Sequence, residues 1–379
     1  LFNAIFPSTR LFFVIKAFII FLSYSNFEVS KLDQKLVKAE DLFDFCVGIL
    51  GRIGVNEENA RIVADNLVMA NLRGVDSHGV ARLPTYVERV LRGYIDPQGP
   101  IEIVKEHGAT ALIDAHNNFG QVAAMHAVKL VAEKIKKLGV SCVGVRNANH
   151  FGMAAYYVLK LAEKGLIGIA LSNGPPAIAP WGGKKPMLGT NPLCIGFPMG
   201  KGDAIILDMA ISTVARGKIR LAALKGEKIP EGWAFDENGN PTTDPVAALK
   251  GTLAPIGGPK GYGLALALDL LCGLVMGSSY LQNVKALDDF SGPSGTGFFI
   301  EAIDVEAFIP YREYEEKIAE YVKAVKDCPK REGVNEIFLP GEIEKREMER
   351  RAKVGVPLDS EVLESLKKLA ERFDVKAPF

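Results

Sequence analysis

A chain of 379 residues is long enough to bury a large core and to divide into more than one domain. Its 45 Lys and Arg balance 45 Asp and Glu, so it offers no net positive face to nucleic acid or to a membrane surface, and a small molecule is the default partner. The cysteines, Cys46, Cys142, Cys194, Cys272 and Cys328, are scattered, form no C-x-x-C and have no histidine at metal-ligand spacing, which gives no metal site and fits a reducing cytoplasm.

Residues 1–30 differ from everything after them. The run "LFFVIKAFIIFLSYSNF" is apolar and aromatic, but Lys16 interrupts it and no A-x-A cleavage site follows, so the expectation is an N-terminal extension outside the fold and no membrane anchor. From Lys31 to Gly74 the pattern is helical. "KAEDLFDFCVGILGRIG" carries Leu42, Cys46, Ile49 and Leu50 at helical spacing, and "NEENARIVADNLVMANLRG" begins at Asn56, a good N-cap. Pro84 restricts Leu83, so the helix in "TYVERVLRGY" is expected to begin at the proline. Between about Ile101 and Ala302 strands alternate with helices. The strands are "TALIDA", "VSCVGV", "LIGIAL", "LCIGF", "AIILDMA" and "FFIEAID"; the helices span Gln121–Lys137, Met153–Lys164 and Gly263–Met276. This is an α/β pattern. After Asp304 come the helices "YREYEEKIAEYVKAVKD", "GEIEKREMERRAKVG" and "SEVLESLKKLAERF", whose apolar stripes are expected to pack on the N-terminal helices.

Four segments hold residues able to do chemistry. In "GVDSHGVAR", Ser77 and His78 supply a hydroxyl and a titratable ring, and Arg82 a fork suited to a carboxylate. The bland reading is a turn with a surface arginine. "NANHFGM" places His150 where a strand gives way to a helix, whose unpaired N–H groups attract anions. "SNGPPAIAPWGGKKPMLGTNP" is too long for a simple connection between strands, and Trp181 gives it an apolar face for a flat ring. "APIGGPKGYGLALALDLLCGLVMG" sets Lys260 in a glycine-rich turn before a nearly all-apolar helix, a cradle for a phosphate or simply a close-packing device. Neither the Rossmann G-x-G-x-x-G nor the Walker A pattern occurs, since Gly261 follows Lys260 where Ser or Thr is needed.

From about Lys31 onward the chain resembles the malate/L-lactate dehydrogenase family of non-Rossmann NAD(P)-dependent oxidoreductases. The matching blocks are "DSHGVARLPTYVERVLRGYI", "NANHFGMAAYY", "APWGGKKPMLGTNPLCIGFP", "LDMAISTVARGKI", "PEGWAFDENGNPTTDP" and "GGPKGYGLALALDLLCGLVMG". The resemblance implies a central mixed α/β, NAD(P)-binding domain (101–303) and a helical domain formed by both chain ends (31–100 and 304–379), assembled as a homodimer. It implies hydride transfer between NAD or NADP and a small 2-hydroxy or 2-oxo acid. Malate and oxaloacetate come first; sulfolactate, lactate, ureidoglycolate and cyclic ketimines such as piperideine-2-carboxylate are the alternatives. Carried over, Ser77 and His78 form a hydroxyl and acid/base pair, Arg82 anchors the substrate carboxylate, and His150 is a second acid/base candidate beside the cofactor. His150, Phe151, Gly152, Met153, Ala154, Asn173, Gly174, Asp208, Met209, Ala210, Ser212 and Lys260 are implied to line the cofactor, with "KREGVNE" at its border. Ile211 stands where relatives commonly carry Thr, and Lys218 follows Gly217 where the ketimine-reducing branch is acidic, which tilts the expectation toward a hydroxy acid. A catalytically silent binding protein on the same scaffold is the reading from another class. A phosphate-handling enzyme lacks the Ser/Thr and acidic metal ligands it would need.

Overall fold

The computed structural model describes residues 34–200 and 202–379, so the N-terminal extension expected at residues 1–30 lies outside the described residues. The chain opens with β1 (Lys35–Val37), α1 (Ala39–Arg52), α2 (Glu57–Leu72) and α3 (Leu83–Leu91). Helix α1 buries Leu42, Phe45, Cys46, Ile49 and Leu50 along one face, the spacing that its sequence carries. Asn56 caps α2 by accepting from the Asn59 N–H at 2.9 Å. Pro84 sits in the first turn of α3, where its missing N–H does no harm.

A sheet region follows: β2 (Glu102–His107), β3 (Thr110–Asp114), α4 (Gly120–Leu138), β4 (Val140–Ala148), α5 (Ala154–Ala162), β5 (Leu166–Ser172), β6 (Leu193–Gly200) and β7 (Asp203–Met209). Next come α6 (Arg216–Lys225), β8 (Ala234–Phe235), α7 (Pro245–Lys250), β9 (Thr252–Leu253), α8 (Pro259–Asp269) and β10 (Thr296–Asp304). Helix α8 runs on into a π-helical stretch, Leu270–Val275. The main sheet has seven strands in the order β2-β3-β4-β10-β5-β6-β7. Within it β3 and β4 alone run parallel, joined by the crossover helix α4, and every other pair is antiparallel. This mixed sheet is the central α/β unit that the sequence pattern predicts.

The chain ends with α9 (Tyr311–Lys326), α10 (Glu342–Val354), β11 (Val356–Leu358) and α11 (Ser360–Phe373). Strand β11 pairs antiparallel with β1, so the two chain ends meet in a two-stranded ribbon. Helix α11 packs on α1 and α3, and α10 on α2, as expected for stripes facing the N-terminal helices. Helix α9 does otherwise. It buries no residue completely and leans on β6, where the Tyr314 hydroxyl donates to the Pro198 carbonyl at 2.8 Å.

The apolar side chains gather in three clusters. Phe45, Leu67, Leu83, Val122 and Leu366 belong to the helical one, Val143, Val145, Tyr157, Phe298 and Ile300 to the one beneath the sheet, and Ile178, Ile211, Leu253 and Leu268 to a third under α6 to α8. The carboxyl ends of the parallel strands β3 and β4 open where the helical cluster meets the sheet cluster. In open α/β sheets that end is where ligands bind.

Candidate active site

Between α2 and α3 the backbone makes two successive 3-10 turns, Asp76–His78 and Val80–Arg82. The coil brings Arg82 back over Ser77, so that Nε donates to the Ser77 carbonyl at 2.6 Å. The two terminal nitrogens of Arg82 have no protein partner among the described residues, which leaves a free fork. Ser77 Oγ lies 3.0 Å from Nδ1 of His78.

His150 reaches the same place from β4. The stretch before it is held by backbone that few residues tolerate: His116 (φ 44°), Asn117 (φ 61°) and Asn147 (φ 51°) are all left-handed. The Asn117 N–H donates to the Asn147 carbonyl at 2.8 Å, and Asn149 Nδ2 donates to the carbonyls of Asn117 and Asn118 at 2.8 and 3.2 Å. So anchored, the His150 ring stacks on that of His78, with centroids 5.4 Å apart and planes 23° apart.

Hydrogen bonds fix the state of the second ring. The Gly152 N–H donates to His150 Nδ1 at 3.3 Å, and a backbone N–H can do nothing else, so Nδ1 is the bare nitrogen. The Tyr86 hydroxyl, 2.7 Å away, therefore donates to Nδ1 as well, and accepts in turn from Gln121 Nε2 at 2.8 Å. Neutral His150 carries its proton on Nε2.

Both rings resist protonation. His78 is pushed down to about 4, first by removal from water and then by Arg82. Burial, then His78, then Arg82 hold His150 far below its ordinary value. Burial raises the Tyr86 phenol, which keeps it a donor.

The residues implied to line the cofactor fall in several settings. Phe151, Met153 and Ala154 are buried, with Phe151 packed on the rings of Tyr157 and Phe298, and Gly152 has φ 78° and no room for a Cβ against Asn66. Asn173 uses its side chain inside the fold, donating to the Ser279 carbonyl at 2.8 Å and accepting from the Gly297 N–H at 3.0 Å. Asn191 Oδ1 accepts from the Gly174 N–H, and its Nδ2 donates to the Ala265 carbonyl of α8 at 2.8 Å. Ser212 Oγ donates to the Val214 carbonyl at 2.9 Å. Met209 is partly exposed and Ala210 exposed at the end of β7. Beside them Asp208, which keeps surface open to solvent, accepts from the Ala155 N–H at 3.0 Å; the protein packed around the carboxyl raises it to about 6, against the pull of that hydrogen bond. The N-terminus of α5, expected to attract a ligand's anion, thus already holds the protein's own carboxylate. Lys260 is exposed near the start of α8, and Trp181 closes on Gly258, where an added Cβ would stand 3.2 Å from the indole. The glycine-rich turn and the Gly/Pro loop therefore form one surface. "KREGVNE" follows α9 in the chain, with Glu336 paired to Arg346 of α10.

Residues 37–367 match the family described as malate/L-lactate dehydrogenase. The chain belongs to that family. It is 41% identical over 360 residues to the malate dehydrogenase of Pyrococcus abyssi, covering 92% of this chain and 99% of that one. It is 40% identical over 341 residues to the malate/(S)-sulfolactate dehydrogenase of Methanothermus fervidus, covering 90% and 99%. Among solved structures, sulfolactate dehydrogenase from Methanocaldococcus jannaschii superimposes with a TM-score of 0.86 at 41% identity, covering 90% of this chain and 98% of that one. For this malate/L-lactate dehydrogenase family member, sequence reasoning missed Tyr86 and Gln121. Tyr86 stands four residues after Arg82 and so could be placed on the same side; Gln121 was legible only as a polar residue in the otherwise apolar start of α4.

Proposed function

We propose that the protein is an NAD- or NADP-dependent 2-hydroxy acid dehydrogenase whose preferred pair is malate and oxaloacetate, acting in the cytoplasm as a homodimer. One observation carries the reading: the free fork of Arg82 stands beside two stacked, neutral histidines. A carboxylate on Arg82 sets the adjacent carbinol within reach of an imidazole. His150 keeps its bare nitrogen turned inward to Tyr86 and Gly152, so we assign it the role of hydrogen-bond donor to the substrate oxygen. His78, supported by Ser77, takes the hydroxyl proton in oxidation and returns it in reduction. Substrate binding assists this. An anionic carboxylate on Arg82 offsets the charge that, after burial, depresses His78, and so raises its pKa.

A dinucleotide needs a cation for its phosphates and a flat apolar platform for its rings. The surface formed by Lys260, Gly258 and exposed Trp181 fits both needs, and we assign these residues with Asp208 to Ala210 to the cofactor. When bound, the nicotinamide supplies or receives the hydride. Homodimerisation is supported by the apolar face of α8, and the cytoplasm by the free cysteines among the described residues.

Sulfolactate is the second reading, since a relative of 40% identity is named for both acids and a sulfonate carries the same charge as the distal carboxylate of malate. Lys218, exposed in α6, speaks for a hydroxy acid over a cyclic imine. The test follows absorbance of reduced nicotinamide with oxaloacetate, sulfopyruvate, pyruvate and piperideine-2-carboxylate, each with NADH and NADPH. Oxaloacetate is expected to be turned over fastest. No turnover of any 2-oxo acid would reject the assignment.

A further inference from the structure

The turn that carries Ser77 and His78 is gripped from behind by a helix near the other end of the chain. Arg351, in α10, is only 7% exposed. Its Nε donates to Glu347 at 2.5 Å, its Nη1 to the Asn71 carbonyl and to Asp76 Oδ1 at 2.7 Å each, and its Nη2 to Asp76 Oδ2 at 3.0 Å. Asn71, in the last turn of α2, completes the grip: Nδ2 donates to Asp76 Oδ1 at 2.6 Å, and Oδ1 accepts from the Val80 N–H at 2.8 Å. Gly79 passes so close that a Cβ there would stand 2.2 Å from Asn71 Oδ1. Both ends of the Ser77–His78 turn, Asp76 and Val80, are thus pinned to side chains of the helical domain, while Arg82 holds the middle through the Ser77 carbonyl.

We propose that Arg351 is a positioning residue for the reaction: through Asp76 it holds the Ser77–His78 turn where the imidazole meets a substrate bound to Arg82. The proposal rests on the assignment of His78 as the proton-exchanging residue. A planar fork on a carboxylate fixes direction as well as distance, which a point charge does not.

The test uses the full-length chain and the fastest 2-oxo acid of the panel. Arg351→Met is expected to lower kcat by about 10- to 100-fold, the scale of a small misplacement of a catalytic group, with the substrate KM changed by less than about threefold. Arg351→Lys, which keeps the charge and loses the fork, recovers part of the loss. Glu347→Gln removes the other ion pair of the same arginine but leaves Asp76 held, and keeps kcat within about twofold of wild type. Circular dichroism confirms folding, and if Arg351→Met fails to fold, Arg351→Lys and Asp76→Asn carry the same comparison. An unchanged kcat in folded Arg351 variants, or an equal loss in Glu347→Gln, overturns the proposal. His78→Asn separates the two levels. If it is inactive while Arg351→Met is fully active, the positioning role alone fails; if it is as active as wild type, the assignment of His78 fails and takes the positioning role with it.

Discussion

Arg82 serves two purposes with one guanidinium. Its terminal nitrogens stand open, in the proposed role for a carboxylate, and its charge adds to the burial that keeps His78 and His150 neutral. Arg82→Met should therefore raise the KM for the 2-oxo acid about 100-fold, the worth of a charge-assisted pair of hydrogen bonds. Its second effect is on pH. For oxidation the base must be deprotonated, so with His78 near 4 the acid limb of kcat/KM falls near pH 4, and removing Arg82 moves it up toward the ordinary histidine value of about 6.5. Steady-state kinetics across pH read both effects. Linkage acts in the same window: below about 6.5 the unfolded chain takes up the proton before the folded one, so His78 costs stability as pH falls toward 4. Tyr86 offers an independent check on the neighbouring ring. Tyr86→Phe takes a donor from His150 and strands the buried Gln121 amide, which costs roughly 1–3 kcal/mol in urea unfolding. A kcat as high as wild type in a folded Tyr86→Phe would show that the orientation of His150 is not set by this hydrogen bond.

At the scale of elements, the parts that were legible in the sequence are those whose signal is local. Helices α1 and α2 announce themselves by stripe and cap, and β3 to β7 by apolar runs between turns. Strand β2 does not, because every residue from Glu102 to His107 is exposed and it is ordered chiefly by pairing with β3. Helix α9 carries a stripe, but nothing in the stripe says whether a sheet edge or a helix will meet it. The same division holds in the site. Ser77, His78 and Arg82 lie within one short motif, and His150 marks its own junction, whereas Tyr86, Gln121 and Arg351 act through distances that only folding creates. Gly120 shows how tightly those elements are set. It begins α4 directly beneath the His150 segment, and a Cβ there would stand 2.2 Å from the Asn149 carbonyl and 2.6 Å from that of His150. Both obstacles are backbone and cannot swing aside. Gly120→Ala should cost about 1–3 kcal/mol, as overpacking does, and should lower kcat through displacement of His150. Urea unfolding and kinetics at saturating substrate measure the two losses separately. A variant that is destabilised yet fully active would show that the segment relaxes without moving the ring.

Across the whole molecule, the helical unit made from both chain ends holds the turn assigned to acid/base chemistry, the sheet delivers His150, and α8 borders the loops assigned to the cofactor. From Leu264 on, helix α8 and its π-helical continuation are apolar apart from the buried Asp269, a composition expected of a helix surrounded by protein, yet Leu264, Leu270, Leu274 and Val275 stand in solvent, Val275 at 65% exposure. A row of this kind is suited to a partner of like character, and a second copy of the chain supplies one. The opposite, buried side of the same helix packs at Gly273 against Asn173, where an added Cβ would be 3.0 Å from Nδ2, and the start of α8 carries Lys260 of the proposed cofactor surface. Covering this helix with a twin would therefore brace the loops that hold the dinucleotide. In a two-fold contact each residue appears on both sides, so one substitution places two charges in the interface. Leu274→Glu is expected to turn a dimer into a monomer in sedimentation velocity, because desolvating two unpaired carboxylates outweighs what the remaining leucines contribute. Loss of cofactor affinity should accompany the change, with circular dichroism unaltered. A wild-type chain that sediments as a monomer, or a Leu274→Glu variant that stays dimeric, would place the contact elsewhere and leave the exposed leucines without a partner.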